Sequence, residues 1–253
     1  MPANTQRFSD RVDAYVRARP GYPPALLAFL HEQLHLSPAD PVADVGAGTG
    51  LLTELFVAAG HPTFAVEPNG PMRAAAIARL GSHAHFHAIN GTAEATTLPD
   101  HSVALVTAAQ AFHWFDVEKA RTEFARILRP NGAVAIIWNE RRRTPGNFTG
   151  PYQDLVDRHK VDRASSTRQT VTDDSLIRFF APAGFRTATF DNPQHLDRPG
   201  VLARLASSSY MPLPPDPRHA TVMADAAELF DRFQRDGTVT IDHETRVYYG
   251  QIT

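Results

Sequence analysis

The sequence predicts an α/β fold in which a parallel sheet is covered by helices on both faces. Short apolar runs bounded by turn residues alternate along the chain with longer segments of helical periodicity. This alternation is typical of βαβ units, whose crossover helices pack on the faces of a sheet. A chain of 253 residues, 43% of them hydrophobic, is long enough to bury a substantial core in one α/β domain.

The elements of the first half follow one another regularly. Five apolar runs predict strands at 41–45, 63–67, 84–88, 103–108 and 132–138. Three periodic stretches predict helices at 51–59, 70–80 and 117–128. We expect the last helix to stop at Arg129-Pro130-Asn131-Gly132, because proline and glycine end a helix and turn the chain. The order of these elements is that of a Rossmann-like sheet.

The second half is less regular. Residues 140–174 contain Pro-Gly and Gly-Pro pairs and three consecutive arginines, so we expect a loop there, followed by a helical stretch at 175–180. A second insertion, 199–237, has helical periodicity in its later part. Residues 238–249 predict a last strand.

The most informative motif follows the first predicted strand. Residues 44–50 read Asp-Val-Gly-Ala-Gly-Thr-Gly, and a helical pattern begins at Leu51. Glycines at this spacing permit positive φ and let a ligand lie against the backbone, and the helix start offers free N–H groups. The dinucleotide fingerprint G-x-G-x-x-G would need glycine at position 51. A nucleotide-like ligand is expected, and S-adenosylmethionine is favoured over NAD.

Two further motifs follow the second and fourth predicted strands. Glu67 ends the second strand about twenty residues after the glycines, the separation at which a carboxylate accepts both hydroxyls of a ribose. Residues 111–116 read Ala-Phe-His-Trp-Phe-Asp after the fourth strand. In this order the motifs resemble the class I S-adenosylmethionine-dependent methyltransferases. The resemblance covers nearly the whole chain and is to the type 11 subgroup related to trans-aconitate and ubiquinone/menaquinone-type methyltransferases.

The resemblance implies a seven-stranded, mostly parallel sheet with a helical lid insertion, S-adenosylmethionine as cofactor and a set of cofactor-binding residues. That set is Tyr15, Arg19, Asp44, Gly46, Ala47, Gly48, Glu67, Pro68, Met72, Thr92, Ala93, Glu94 and Gln110. It also implies one methyltransferase domain over 1–253. Its parts are N-terminal cap helices (1–35), a cofactor-binding core (36–139), lid and substrate-side insertions with part of the core (140–237) and a last strand (238–253).

Several of these assignments have structural alternatives. Asp44 either orients the methionine end of the cofactor or caps the following helix. The family often has an acid where this chain has Thr92, so the Ala93 backbone is an alternative adenine contact. Tyr15 and Arg19 either reach the methionine carboxylate or belong to a helix packed on the sheet.

Methyl transfer from a sulfonium is an in-line displacement, so positioning of the acceptor dominates catalysis. His113 is the candidate general base, because its near-neutral pKa suits proton removal; the alternative is that it orients its loop. The candidate substrate residues are Phe112, Trp114, Asn139, Arg141 and Tyr152. Residues 141–143, with Arg163 and Arg168, either receive an acidic substrate or form a solvated loop. The aromatic residues equally permit a planar aromatic acceptor.

Composition narrows the possible functions. A formal net charge of −2 gives no bulk attraction for nucleic acid, and zero cysteines exclude disulfides and zinc–thiolate sites. The polar first twenty residues resemble no secretory signal and no apolar run could span a bilayer, so we expect a cytoplasmic protein. We further expect a monomer or homodimer that acts on a small molecule.

Three imidazoles at His83, His85 and His87 would share one face of a strand, but no metal site is expected, because no other motif supplies a partner ligand. Two functional alternatives remain open. One is a nicotinamide-dependent oxidoreductase, although the chain has no Tyr-x-x-x-Lys pair, and the other is an S-adenosylmethionine-binding protein that transfers no methyl group.

Overall fold

A seven-stranded sheet forms the centre of the computed structural model, which describes residues 19–161, 173–208, 210–212 and 214–252. The strands are β1 (Val42–Val45), β2 (Thr63–Val66), β3 (Phe86–Ile89), β4 (Val103–Ala109), β5 (Leu128–Arg141), β6 (Arg186–Asp191), β7 (Gln194–Leu196), β8 (Val239–Ile241) and β9 (His243–Gly250). The sheet order is β3-β2-β1-β4-β5-β9-β6, with β7 and β8 forming a separate pair. The first five strands of the sheet are parallel, and β9 runs antiparallel to both β5 and β6. The predicted seven-stranded, mostly parallel architecture is confirmed.

Helices cover both faces of this sheet. They are α1 (Pro24–Leu34), α2 (Thr53–Ala58), α3 (Gly70–Leu80), α4 (Val117–Ile127), α5 (Thr149–His159), α6 (Asp173–Phe180), α7 (Arg198–Ala206) and α8 (Arg218–Phe233). Side-chain oxygens cap several of their starts: Asn69 accepts from the Met72 amide, Asp116 from Lys119 and Asp197 from Gly200. No helix in the described part of the chain is long and apolar enough to cross a membrane.

Alternate residues of β5 face two different cores. Val134, Ile136 and Trp138 pack into a cluster with α4 and α6. Ala135 and Ile137 pack into a cluster with α1 and α2 on the opposite face. This alternation fixes on which side each residue near the end of β5 emerges.

The first half of the chain contains every predicted element, with shifts in several bounds, of which two have a clear structural reason. Helix α2 begins at Thr53, two residues later than predicted, because residues 49–52 form turns. Strand β5 begins at Leu128, which pairs with Val103, and pairing resumes at Ala133 with Leu105. The predicted stop at 129–132 is therefore a bulge inside a strand, with Asn131 at φ +65°.

The three-imidazole arrangement is wrong. His83 and His85 lie in the turn before β3, and His87 is within the strand. No group of three histidine, aspartate or glutamate side chains among the described residues is placed to hold a metal ion.

The second half differs more from the prediction. Residues 140–174, expected to form a loop, contain α5, and the expected last strand at 238–249 is two strands in two different sheets. Helices α5, α7 and α8 with the β7–β8 pair form what we call the helical insertion. It has its own apolar core, in which Tyr152, Leu205 and Phe230 are buried.

Candidate cofactor and acceptor site

The glycine turn between β1 and α2 lies directly against the end of β2. The Gly46 and Ala47 amides both donate to the Val66 carbonyl, at 2.9 and 3.2 Å. Gly46 has φ +71°, and a Cβ there would lie 2.5 Å from the Ala111 Cβ, so glycine is required for the turn to approach the end of β4. Gly48, at φ +58°, would meet only the Met72 Cε at 3.5 Å, so the space beside its backbone is open.

Glu67 is buried beside this turn. Its Oε2 accepts from the Gly48 amide and its Oε1 from the Asn69 amide, both at 2.8 Å, and the residue is 9% exposed. Burial raises the pKa of the Glu67 carboxyl, against the opposing effect of the two amide donors. The carboxylate is thus held rigidly by backbone, while each oxygen keeps a lone pair for a further donor.

Arg73 fixes the loop that carries Glu67, although it belongs to no recognisable motif. Its Nη1 donates to the Glu67 carbonyl at 2.7 Å and to the Asn90 Oδ1 at 3.1 Å. One guanidinium therefore joins the loops that follow β2 and β3.

Asp44 is 1% exposed and joins three elements. Its Oδ2 accepts from the Thr53 hydroxyl at 2.6 Å and its Oδ1 from the Thr107 hydroxyl at 2.9 Å. Burial raises the pKa of the Asp44 carboxyl to about 6. Leu52 is the N-cap residue of α2, so Asp44 does not occupy the capping position, but its carboxylate also accepts from the Thr53 backbone amide at the start of this helix.

The segment expected to edge the adenine is a tight loop. Thr92 and Ala95 exchange backbone hydrogen bonds of 3.1 and 3.3 Å, with Thr92 exposed and Ala93 buried. The Glu94 carboxylate accepts from the Asp116 amide at 2.9 Å, so it braces the start of α4. Of the other predicted cofactor residues, Pro68 follows the end of β2 and Met72 is buried in α3.

Gln110 connects the ends of β4 and β5. It has φ +56°, its amide donates to the Ile137 carbonyl at 2.9 Å, and its Nε2 donates to the Asn139 carbonyl at 3.0 Å. His113 lies in the turn that follows β4. The centroid of its ring is 4.6 Å from that of Trp114 and 5.2 Å from that of Trp138. His113 and Trp114 thus lie at the carboxyl ends of the central strands.

Two expected substrate residues have other roles. Phe112 is 1% exposed, and its ring packs 5.0 Å from that of Phe179 in the core, so the expectation of a substrate contact is wrong. The Asn139 side chain donates to the Gly21 carbonyl at 3.0 Å and accepts from the Thr245 hydroxyl at 2.5 Å. It also accepts from Asn192, so Asn139 holds the N-terminal segment and not an acceptor.

Arg19 lies on the acceptor side of the site. Its Nη2 donates to the Ser207 carbonyl at 3.1 Å, at the end of α7 and not at the glycine turn. Tyr15, the other residue expected to reach the methionine carboxylate, lies outside the described residues.

The structure brings Arg141 and Tyr152, two of the predicted substrate residues, close together. The Arg141 Nη2 donates to the Tyr210 hydroxyl at 3.0 Å, and its Cζ lies 5.5 Å from the centre of the Tyr152 ring. The neighbouring arginines are surface residues: Arg142 pairs with Asp191 at 2.9 Å and Arg143 with Asp154 at 2.7 Å. Arg163 and Arg168 lie outside the described residues.

Known proteins resemble this chain in both sequence and fold. A family model described as a methyltransferase domain matches residues 43–136. An uncharacterized methyltransferase from Mycobacterium tuberculosis (strain ATCC 25618 / H37Rv) is 35% identical over 230 residues, covering 82% of this chain and 91% of the relative. The chain belongs to the type 11 class I S-adenosylmethionine-dependent methyltransferases.

Other matches agree with this assignment. An uncharacterized methyltransferase from Schizosaccharomyces pombe is 33% identical over 134 residues, 53% of each chain. A solved structure described as a candidate type II methyltransferase from Anaeromyxobacter dehalogenans has a TM-score of 0.66 at 22% identity, covering 92% of this chain and 98% of that one. The latter likeness concerns the fold. Family membership decides against both alternatives, the nicotinamide-dependent oxidoreductase and the protein that transfers no methyl group.

The residues of this methyltransferase fit S-adenosylmethionine. The open space beside Gly48 admits a ligand at the backbone, where a side chain would project into it. The Glu67 carboxylate, with both oxygens anchored and lone pairs remaining, is suited to accept from a pair of hydroxyls such as those of a ribose. The methyltransferase therefore has a carboxylate acceptor and the space that this cofactor needs.

Proposed function

We propose that this methyltransferase transfers a methyl group from S-adenosylmethionine to a small molecule bound between the carboxyl ends of β4 and β5 and the helical insertion. The observation that carries this proposal is the enclosure of that place: Tyr152 of the insertion is completely buried, and Arg141 reaches across to it. A polymer needs an open groove, whereas a small molecule is surrounded on most sides. The net charge of −2 also supports a small acceptor over a nucleic acid.

In this proposal, the cofactor residues occupy the ends of β1, β2 and β4. Glu67 accepts from the ribose hydroxyls, the backbone of Gly46, Ala47 and Gly48 lines the cofactor, and the Ala93 backbone edges the adenine. Asp44 acts indirectly, because its two oxygens already bond to hydroxyls that fix the turn.

When bound, S-adenosylmethionine supplies an activated methyl group on a sulfonium. The protein's own contribution is mainly to hold the acceptor in line with that group, which is worth about 7–11 kcal/mol of barrier in well-oriented reactions. We assign His113 the role of accepting the acceptor's proton, since the ring lies at the exit of β4 between Trp114 and Trp138.

Calorimetric titration with S-adenosylmethionine, S-adenosylhomocysteine and NADH tests the cofactor assignment. We expect the first two to bind and NADH not to bind. Glu67→Gln should weaken both affinities about tenfold or more, because a hydrogen bond to a charged group contributes about 1.5–3 kcal/mol. Glu54→Gln removes an exposed carboxylate and serves as the control. Unchanged affinity in Glu67→Gln would contradict the ribose assignment, and binding of NADH alone would contradict the proposed function.

The His113 assignment is tested in the same titration with His113→Asn. If His113 is the general base, His113→Asn should leave the cofactor affinity intact and lower the turnover number about 10²–10⁴-fold. Turnover is measured with an acceptor found by screening small acids and phenols. Parallel losses of affinity and turnover would instead support the loop-orienting alternative.

A further inference from the structure

The helical insertion contains a buried arginine that has no carboxylate as its counter-ion. Arg204 of α7 is 4% exposed, and within the described part of the chain its Nε and Nη1 have no hydrogen-bond partner. No described carboxylate forms an ion pair with it. Removing a guanidinium from water without a paired anion costs several kcal/mol, so an anionic ligand that paired with Arg204 would offset this cost.

Further donors without partners surround this guanidinium. Among the described residues, the Arg141 Nη1 and the Tyr152 hydroxyl are buried and make no hydrogen bond, and the buried His243 imidazole lies beside them. Arg141 and His243 are direct partners across the β5–β9 pair, so their side chains emerge on one face of the sheet. Tyr152 is 0% and His243 2% exposed. These polar atoms come from β5, α5, α7 and β9 and meet where the sheet ends against the insertion.

The electrostatics of this cluster favour negative charge. Burial opposes ionisation of Tyr210, but the charges of Arg141, Arg19 and Arg204 outweigh it and lower the pKa of the hydroxyl to about 7. Burial, followed by Arg204 and Arg141, lowers the pKa of His243 to about 3, so its imidazole is neutral and has one N–H to donate. Burial and then Arg19 lower the pKa of the Arg204 guanidinium to about 9.

We propose that Arg141, Arg204 and the Tyr152 hydroxyl bind an anionic group, a carboxylate or a phosphate, of the methyl acceptor. This inference rests on the proposed function, because it concerns the acceptor of that same site. Guanidinium and hydroxyl donors that converge without carboxylates match the acceptor oxygens of such a group.

The proposed anion site lies near the carboxyl ends of β4 and β5, where the proposed methyl transfer takes place. Gln110 at the exit of β4 donates to the Asn139 carbonyl, and Asn139 precedes Arg141 by two residues, about 7 Å along a strand. An acceptor of a few carbon atoms spans this distance. The acceptor class is therefore a small organic acid or phosphate ester that is held by its anionic end.

The test measures anion binding directly by calorimetry, in the presence of S-adenosylhomocysteine and at constant ionic strength. The probes are succinate, citrate and inorganic phosphate, with uncharged succinamide as the control ligand. We expect saturable binding of at least one anion and none of succinamide. Binding of succinate or citrate alone identifies a carboxylate, and binding of phosphate alone identifies a phosphate ester.

Two variants examine the cluster itself. Arg204→Met should weaken anion binding at least tenfold while the melting temperature without ligand stays equal or rises, because an apolar side chain replaces an uncompensated charge. Tyr152→Phe keeps the packing and should weaken anion binding about fivefold or more. Arg142→Met, at an exposed ion pair, is the matched control and should leave anion binding unchanged.

Several results would overturn the inference: binding of no anion, equal binding of succinamide, or a lower melting temperature in Arg204→Met with anion affinity retained. The same titrations separate this inference from the proposed function. Failure to bind S-adenosylhomocysteine with anion binding intact counts against the function, whereas cofactor binding without anion binding counts against the inference alone.

Discussion

Two buried carboxylates at neighbouring strand ends have different partners. Glu67 accepts from the fixed backbone amides of Gly48 and Asn69, whereas Asp44 accepts mainly from the rotatable hydroxyls of Thr53 and Thr107, with the Thr53 amide as a further donor. A hydroxyl can donate to a carboxylate or accept from a protonated one, so Asp44 can change its charge without losing its partners. Its surroundings therefore tolerate either protonation state.

Asp44→Asn tests the consequence for stability. The pKa of Asp44 is about 6 in the folded state and about 3.9 in the unfolded state, so the folded state binds more protons between these pH values. The contribution of Asp44 to wild-type stability therefore falls as the pH rises from about 4 to 6. Asparagine does not titrate. Its free energy of unfolding should equal that of the wild type near pH 4 and exceed it by up to about 3 kcal/mol above pH 6.

Urea denaturation of both proteins at pH 4.5 and pH 7.5 checks this difference. The comparison cancels the titration of groups shared by the two proteins. If the gap between them is the same at both pH values, Asp44 is already ionised throughout and the prediction is wrong.

Among the elements, α4 holds two distant parts of the chain through one side chain. The Arg121 Nε donates to the Phe179 carbonyl at 3.0 Å, and its Nη2 donates to the Ala181 and Ile252 carbonyls at 2.7 and 2.6 Å. These carbonyls belong to the end of α6 and to the segment after β9. Arg121 thus satisfies backbone acceptors that no helix or strand satisfies.

Replacing Arg121 should loosen that side of the sheet without affecting the cofactor. Arg121→Met is expected to lower the free energy of unfolding by about 2–3 kcal/mol, because charged hydrogen bonds to three carbonyls are lost. Arg129→Met is the control: its ion pair with Asp40 is 3.8 Å long and exposed, so the change should stay within about 0.5 kcal/mol. Denaturant titration and S-adenosylhomocysteine affinity measure both effects, and equal losses in the two variants would refute the prediction.

The sequence predicted elements with a clear period and missed those whose signal is local or ambiguous. Gly150 and Pro151 indicate a loop where the structure has α5. Both residues lie in the first turn of this helix, where backbone N–H groups have no partner within the helix, so the missing N–H of proline costs nothing. The sequence predicts one strand for β8 and β9 together, because buried and more exposed residues alternate without a break across Asp242. A two-residue period does not show that the chain passes from one sheet to another at this point.

The site divides in the same way. The glycine turn and Glu67 are adjacent to strands that the pattern identifies, so their place could be predicted. Phe112 was misplaced because the 3-10 turn at 112–114 directs its ring into the core, and a sequence period does not fix that direction. Arg204 and His243 meet only through tertiary packing, and nothing around either residue signals a site.

For the whole molecule, stability is unevenly distributed. The central strands β1 and β4 are almost entirely buried, whereas β7 and β8 form a ladder of three residue pairs at one side. Local opening should therefore differ strongly between regions.

Amide hydrogen exchange followed by mass spectrometry should resolve this difference. We expect the slowest exchange in β4 and the central part of β5, and the fastest structured exchange in β7 and β8. S-adenosylhomocysteine should slow exchange in residues 46–50 and 67–69 and leave β7–β8 unchanged. Uniform protection across all of these segments would show that the insertion and the sheet open as one unit, against this prediction.

The two halves of the site differ in how far apart their residues lie along the chain. The residues proposed to surround the cofactor fall within 44–116, whereas the proposed anion site draws on Arg141, Tyr152, Arg204 and the neighbouring His243. Closing longer loops slows folding, and a chain leaves the ribosome from its N-terminus. A growing chain should therefore be able to form the cofactor half before residue 243 has been synthesised. Newly made protein would then gain its affinity for S-adenosylmethionine before its choice of acceptor.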